Sequence, residues 1–297
     1  QILANATQIL DEFNQNSPEP INIILFHQAI EHLSAISRGL RIRRGHLLLY
    51  GQQSSGRVSL TRLACHIEGC EVRRIDVSNG LDLEKWRSEL KKIIRTCGIN
   101  DVQIALIMSD NQFILPKQFD DIQNIVNHYN PSLFFEQEEF ESIQKELAAI
   151  ELKAETDYWG LFRARVEKNL HIVLTIAPGS TTNRVIFSRY PSIMRICYID
   201  WFIPWTTVSL ESIALKSLSP VLEESDRERI ISVCVSMNRA VEQFHGTVPI
   251  QYFSFLSLFK RIYGKRKERS VSLITEYENA TNKLSETEAQ IFEIKSQ

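Results

Sequence analysis

An apolar run from His46 to Tyr50 passes without a break into Gly51-Gln-Gln-Ser-Ser-Gly56-Arg57, and Leu60, Leu63, Ala64 and Ile67 follow at helical spacing. A buried strand feeding a short loop that opens a helix commits the chain to an α/β layer. It is also how a phosphate-binding loop is built, because backbone N–H groups and the helix N-terminus converge on one anion. An ordinary strand-to-helix turn uses the same two glycines. Read as a phosphate loop, the stretch assigns Gly51, Ser54, Ser55, Gly56, Arg57, Val58 and Ser59 to a nucleotide.

The residues at the end of the loop depart from the working pattern. That pattern asks for Lys to reach the outer phosphates and then Ser or Thr to hold magnesium; here stand Arg57 and Val58. Arginine presents a planar fork where a compact ammonium is expected. Valine has no oxygen for a metal, and Ser59 comes one residue late.

Further apolar runs at Ile104–Met108, His171–Ala177 and Arg195–Phe202, with a strand signal at Glu71–Val77, alternate with helical patterns. Those patterns include Leu81–Cys97, Phe119–Val126 and the acidic stretch 136–157. Wholly apolar strands separated by helices imply a parallel sheet covered on both faces. The expected fold is α/β: a five-stranded parallel sheet over 45–205 behind a helical lead-in, 1–44. Val208–Leu218, Arg227–Phe244 and Pro249–Tyr263 read as three helices of a small subdomain, 206–264.

The last stretch, 265–297, lacks Gly and Pro, and carries Leu273, Tyr277, Ala280, Leu284, Thr287, Ile291 and Ile294 at alternating spacings of four and three. That is a heptad seam, ~50 Å long at 1.5 Å per residue. It fits a partner helix from elsewhere or packing on its own domain. The start at Gln1 and the end within a helical pattern suggest a piece of something longer.

A net charge of -2 over 297 residues gives no argument for nucleic acid. Five cysteines without a C-x-x-C pair fit reduced, buried thiols rather than zinc or disulfides. With no basic-then-apolar leader and no apolar run near ~20 residues, neither a signal peptide nor a membrane partner is expected. Arg41, Arg43 and Arg44 precede the first strand and either steer an anion or form a solvated edge.

A hydrolytic site needs an acid at the end of the next buried strand, to order magnesium, and a base beside it. Asp110 supplies the first; Asn111 stands where the base belongs, and an amide takes no proton from water. Thr175 is the polar candidate for sensing the outer phosphate. Arg184 is a candidate arginine finger toward a neighbouring module, and Arg189 a weaker one; both are expected in a loop and fit equally as surface residues. These departures together point to slow turnover or none.

Several segments beyond the loop resemble one family. Glu31-His32 to Arg38, Arg44 to Gly51, Ser55 to Ala64, Ser109-Asp110-Asn-Gln112, Arg165 to Leu174, Ile199-Asp200-Trp201-Phe202-Ile-Pro-Trp205, Pro249 to Phe255 and Lys265-Arg266 resemble the dynein heavy chain. The match is to the fourth AAA+ module of its motor ring with the start of the stalk coiled coil, and it is axonemal in type. The resemblance implies a minus-end-directed microtubule motor in which this module links ring and stalk. It implies ATP or ADP at the loop, with magnesium at Asp110. The implied partners are neighbouring AAA+ modules, the returning stalk helix, the microtubule through the stalk tip, and intermediate and light chains through other parts of the heavy chain. The implied setting is cytoplasm, cytoskeleton and ciliary axoneme. A self-standing AAA+ ATPase and a scaffold with an empty site are the alternatives.

Overall fold

The computed structural model describes residues 2–76, 80, 82–128, 133–150, 157–245 and 249–296. Two helices lead in, α1 (Ile2–Asn16) and α2 (His27–Arg41). The sheet is built from β1 (Leu47–Gly51), β2 (Glu71–Arg73), β3 (Ile104–Ser109), β4 (Leu170–Ile176) and β5 (Tyr198–Phe202). Their order is β2-β3-β4-β1-β5, and every pairing is parallel.

The apolar runs explain the order. β4 is buried at all seven positions, and β3 at its first five. Strands of this kind need neighbours on both sides and helices on both faces. The edge strands β2 and β5 carry exposed residues, and β2 stops at Arg73. The strand expected over Glu71–Val77 does not continue through 74–76, and 77 lies outside the described residues.

Connections run through α3 (Arg57–Glu68), α4 (Leu83–Ile99), α5 (Pro116–His128), α6 (Gln137–Ile150) and α7 (Tyr158–Asn169). Leu48, Leu106, Met108, Ile172 and Leu174 share one core with Trp86, Leu90 and Ile94 of α4, Ile122 of α5 and Phe162 of α7. α2 covers the other face, where a Cβ on Gly39 would lie 2.4 Å from Leu47 Cδ2. All five cysteines are buried and none forms a disulfide.

Between β4 and β5 lie α8 (Thr181–Arg189) and α9 (Pro191–Ile196). Arg184 and Arg189 therefore sit on a helix, not in a loop, and Arg195 and Ile196 are helical rather than the start of a strand. The local cause is Ser180, whose hydroxyl accepts the Asn183 N–H at 3.0 Å and caps α8. Pro191 then opens α9 at its first position.

The chain divides into two compact units, one ending at Ser209 and the other beginning at Leu210. In the second, α10 (Thr207–Leu218) from Leu210 onward, α11 (Glu224–His245) and α12 (Pro249–Ser296) bury Ile213, Leu218, Cys234, Tyr252 and Leu256. The Tyr252 hydroxyl donates to the Leu210 carbonyl at 3.1 Å. The helix expected over Pro249–Tyr263 and the helical tail expected from 265 are one element: α12 is a single helix of 48 residues. Gly264 meets nothing within 4 Å and does not interrupt it. Every residue from 268 to 288 is exposed, Leu273, Tyr277 and Leu284 included.

Candidate functional site: the loop after the first strand

The loop, the end of β3 and the end of β4 meet at the carboxyl edge of the sheet, where open α/β folds place their ligands. Gly51 ends β1 without a side chain because β5 crowds it: a Cβ there would lie 2.5 Å from Phe202 Cβ. The chain then turns through Ser54 and Gly56, both in the left-handed region at φ 61° and 92°. Leu60 N–H returns to the Gly56 carbonyl at 2.8 Å, so α3 starts at once. The backbone thus has the form of a phosphate loop. Val58 and Ser59 are half-buried on the first turn of α3, and Ser55 Oγ is buried without a partner.

Arg57 does not point out of the loop. Its side chain is buried beneath it, with Nη1 donating to the Ile176 carbonyl at 2.6 Å and to the Leu49 carbonyl at 3.4 Å. One cation therefore ties the end of β4 to the middle of β1. Burial lowers its pKa, and the nearby Asp110 charge opposes that fall.

Asp110 is equally occupied. One carboxylate oxygen accepts the Ala177 N–H at 2.6 Å and the other the Ser180 hydroxyl at 3.1 Å. Its backbone carbonyl accepts the Thr182 hydroxyl at 3.3 Å. The Thr175 hydroxyl donates to Ser109 Oγ at 3.0 Å, on the pair of residues the β3–β4 register sets opposite each other. Asn111 is exposed in a single 3-10 turn over Asp110–Gln112.

The structure thus gathers Gly51 to Ser59, Asp110 and Thr175 in one place, while Arg184 and Arg189 are exposed on α8. Sequence reasoning missed the polar residues that complete the network: Ser109, Ser180 and Thr182. Two signals were readable. Ser109 and Gln112 form a capping box, and Ser180 stands three residues before Asn183.

The donor set can be tested against a magnesium nucleotide. Metal needs a hydroxyl at position 58 and a free carboxylate at 110, and the outer phosphates need an outward cation. Position 58 has no oxygen, both Asp110 oxygens are satisfied within the protein, and Arg57 is turned inward. No cluster of three or more metal-type side chains occurs among the described residues. Magnesium does not fit these residues as arranged.

A parallel sheet in this order, a loop of this form after its first strand in the chain and a helical second unit define a P-loop AAA+ module. The profile for the P-loop containing dynein motor region D4 matches residues 21–262, well over half of the chain. The chain belongs to that dynein motor family. It is 29% identical to human dynein axonemal heavy chain 6 over 98% of its own length and 8% of that protein. With mouse dynein axonemal heavy chain 3 the identity is 28%, over 95% and 7%. With human dynein axonemal heavy chain 10 it is 27%, over 97% and 7%. The chain spans less than a tenth of the length of these curated relatives. Among solved structures, the Saccharomyces cerevisiae Hsp104:casein complex gives a TM-score of 0.47 at 11% identity, over 89% of this chain and 41% of that one.

Proposed function

We propose that this chain is the fourth AAA+ module of an axonemal dynein heavy chain, a hydrolysis-deficient link between the motor ring and the microtubule-binding stalk. The observation that carries the reading is α12. One uninterrupted helix of 48 residues presents Leu273, Tyr277, Leu284 and Ile291 to solvent at heptad spacing. A returning helix of the same heavy chain covers that stripe, and the pair conveys small shifts along its length. Neighbouring AAA+ modules flank the module, hydrolysis elsewhere in the ring drives minus-end-directed movement on ciliary microtubules, and intermediate and light chains bind other parts of the heavy chain.

The site chemistry supports the passive role. Asn111 removes the base and Val58 the metal ligand, so the module contributes position rather than turnover. The test is a heavy chain carrying Tyr277→Asp and Leu284→Asp. Microtubule-stimulated phosphate release is expected to fall at least tenfold while release without microtubules stays unchanged. Unaltered stimulation would reject the stalk role. Steady phosphate release by this chain alone, abolished by Asp110→Ala, would instead establish a self-standing ATPase.

A further inference from the structure

We infer that Arg57 is a built-in cation that takes the place of a bound nucleotide, closing the loop from beneath so that this module keeps its nucleotide-site fold without ATP or ADP. The inference rests on the hydrolysis-deficient reading above and goes one step deeper: it concerns whether the pocket binds at all.

The geometry of Arg57 comes first. In a working loop the cation extends outward to the phosphates. Here Arg57 is 7% exposed as a residue, and its guanidinium is hydrogen-bonded to the last carbonyl of β4 and to one in the middle of β1. Reaching a phosphate would leave the buried Ile176 carbonyl without that donor, and an orphaned buried acceptor is costly. One nitrogen of the guanidinium, Nη1, serves both carbonyls.

Charge balance comes second. A triphosphate brings a large negative charge, which loop cations and magnesium normally neutralise. The guanidinium of Arg57 is given to backbone carbonyls, and the nearby Asp110 charge opposes the fall that burial causes in its pKa. Asp110 in turn spends its oxygens on Ala177 N–H and Ser180 Oγ, so it braces the turn into α8 instead of a metal shell. The loop does keep one buried hydroxyl without a partner, Ser55 Oγ. The backbone donors of the loop remain, but the cation that would accompany them is turned inward.

The consequence is a permanent brace. Arg57 joins the end of β4 to β1, and Asp110 joins the end of β3 to the turn into α8, each by direct hydrogen bonds.

The test uses the 297-residue chain, with folding checked by far-UV circular dichroism. ATP and ADP, each with magnesium or with EDTA, are titrated by calorimetry and scored by Tm. No heat and no change in Tm are expected at millimolar nucleotide. Arg57→Gln and Asp110→Asn are each expected to lower Tm, and the double variant to lose clearly less than the sum, as coupled neighbours do. Saturable binding of either nucleotide overturns the inference whatever the variants do, and so does strict additivity. Binding without phosphate release would overturn it while leaving the proposed function standing; release abolished by Asp110→Ala would remove both.

Discussion

His32 Nδ1–H donates to Asp200 from 3.0 Å of each carboxylate oxygen, and its ring lies flat on Phe202 at a centroid distance of 3.9 Å. The pair joins α2 to the edge strand β5, with the side chains only 13% and 12% exposed. An edge strand has one hydrogen-bonded neighbour, so a side-chain tie of this kind does part of the work of the missing one. His32→Ala and Asp200→Ala are each expected to lower stability by about 1–3 kcal/mol. The double variant should cost at least about 1 kcal/mol less than their sum. Urea unfolding of the four proteins measures it, and additive losses would show that the pair is incidental.

Close packing of α4 on α7 makes a second prediction. A Cβ on Gly98 would lie 2.2 Å from Phe162 Cε2 and 2.3 Å from its Cδ2. Phe162 is fully buried in the core, so the ring cannot swing into solvent. Gly98→Ala should cost about 1–3 kcal/mol despite the better helix propensity of alanine. Adding Phe162→Leu should recover part of that loss. A neutral Gly98→Ala would show that the helices separate easily.

Acid should loosen the base of the sheet. His46 is buried just ahead of β1, where its Nδ1 accepts the Ile172 N–H at 3.1 Å. Burial first, and then the charges of His171 and Arg44, push its pKa down to about 3. His171, donating to the Gly45 carbonyl at 2.9 Å, is also lowered, mainly by burial. An imidazole held neutral in the fold but titrating near 6.5 when unfolded binds fewer protons folded than unfolded. Its contribution is fully present above about pH 6.5 and declines as pH falls toward 3. For His46 alone this amounts to about 2 kcal/mol between pH 6.5 and 5, and His46→Gln should flatten the profile. Denaturant midpoints across that range would reveal a pH-independent stability if the histidine were solvated.

Changes on the exposed stripe of α12 should be silent in this chain. Leu284 is 67% exposed and Leu273 is 43% exposed. Leu284→Glu is therefore expected to alter stability by less than about 0.5 kcal/mol. In the heavy chain the same change should weaken pairing with the returning helix, seen as faster proteolysis of the stalk. Equal cleavage of both heavy chains would argue that nothing covers this stripe.

The strands were readable because their burial is two-sided. Ile104–Met108 and Leu170–Ile176 have no polar face to hide them, so an apolar run identifies them directly. The helices α8 and α9 were harder: nine and six residues long, they show little periodicity, and only the cap at Ser180 announces them. α7 went unread for a similar reason, since Tyr158–Asn169 mixes arginines with apolar residues. The identity of the loop residues was legible, but their use was not. Arg57 and the Ile176 carbonyl are 119 residues apart, and Asp110 and Ser180 are 70 apart. Chemistry in the linear text cannot say whether a charged side chain faces outward to a guest or inward to the backbone.

The 48 residues of α12 form a rod roughly 72 Å long at 1.5 Å per residue. Pivoting such a rod by ~5° at its anchored end sweeps the far end through ~6 Å, about the rise of one helical turn. A rearrangement too slight to disturb the packing around Tyr252 is thereby magnified into a displacement large enough to exchange one set of neighbours for the next.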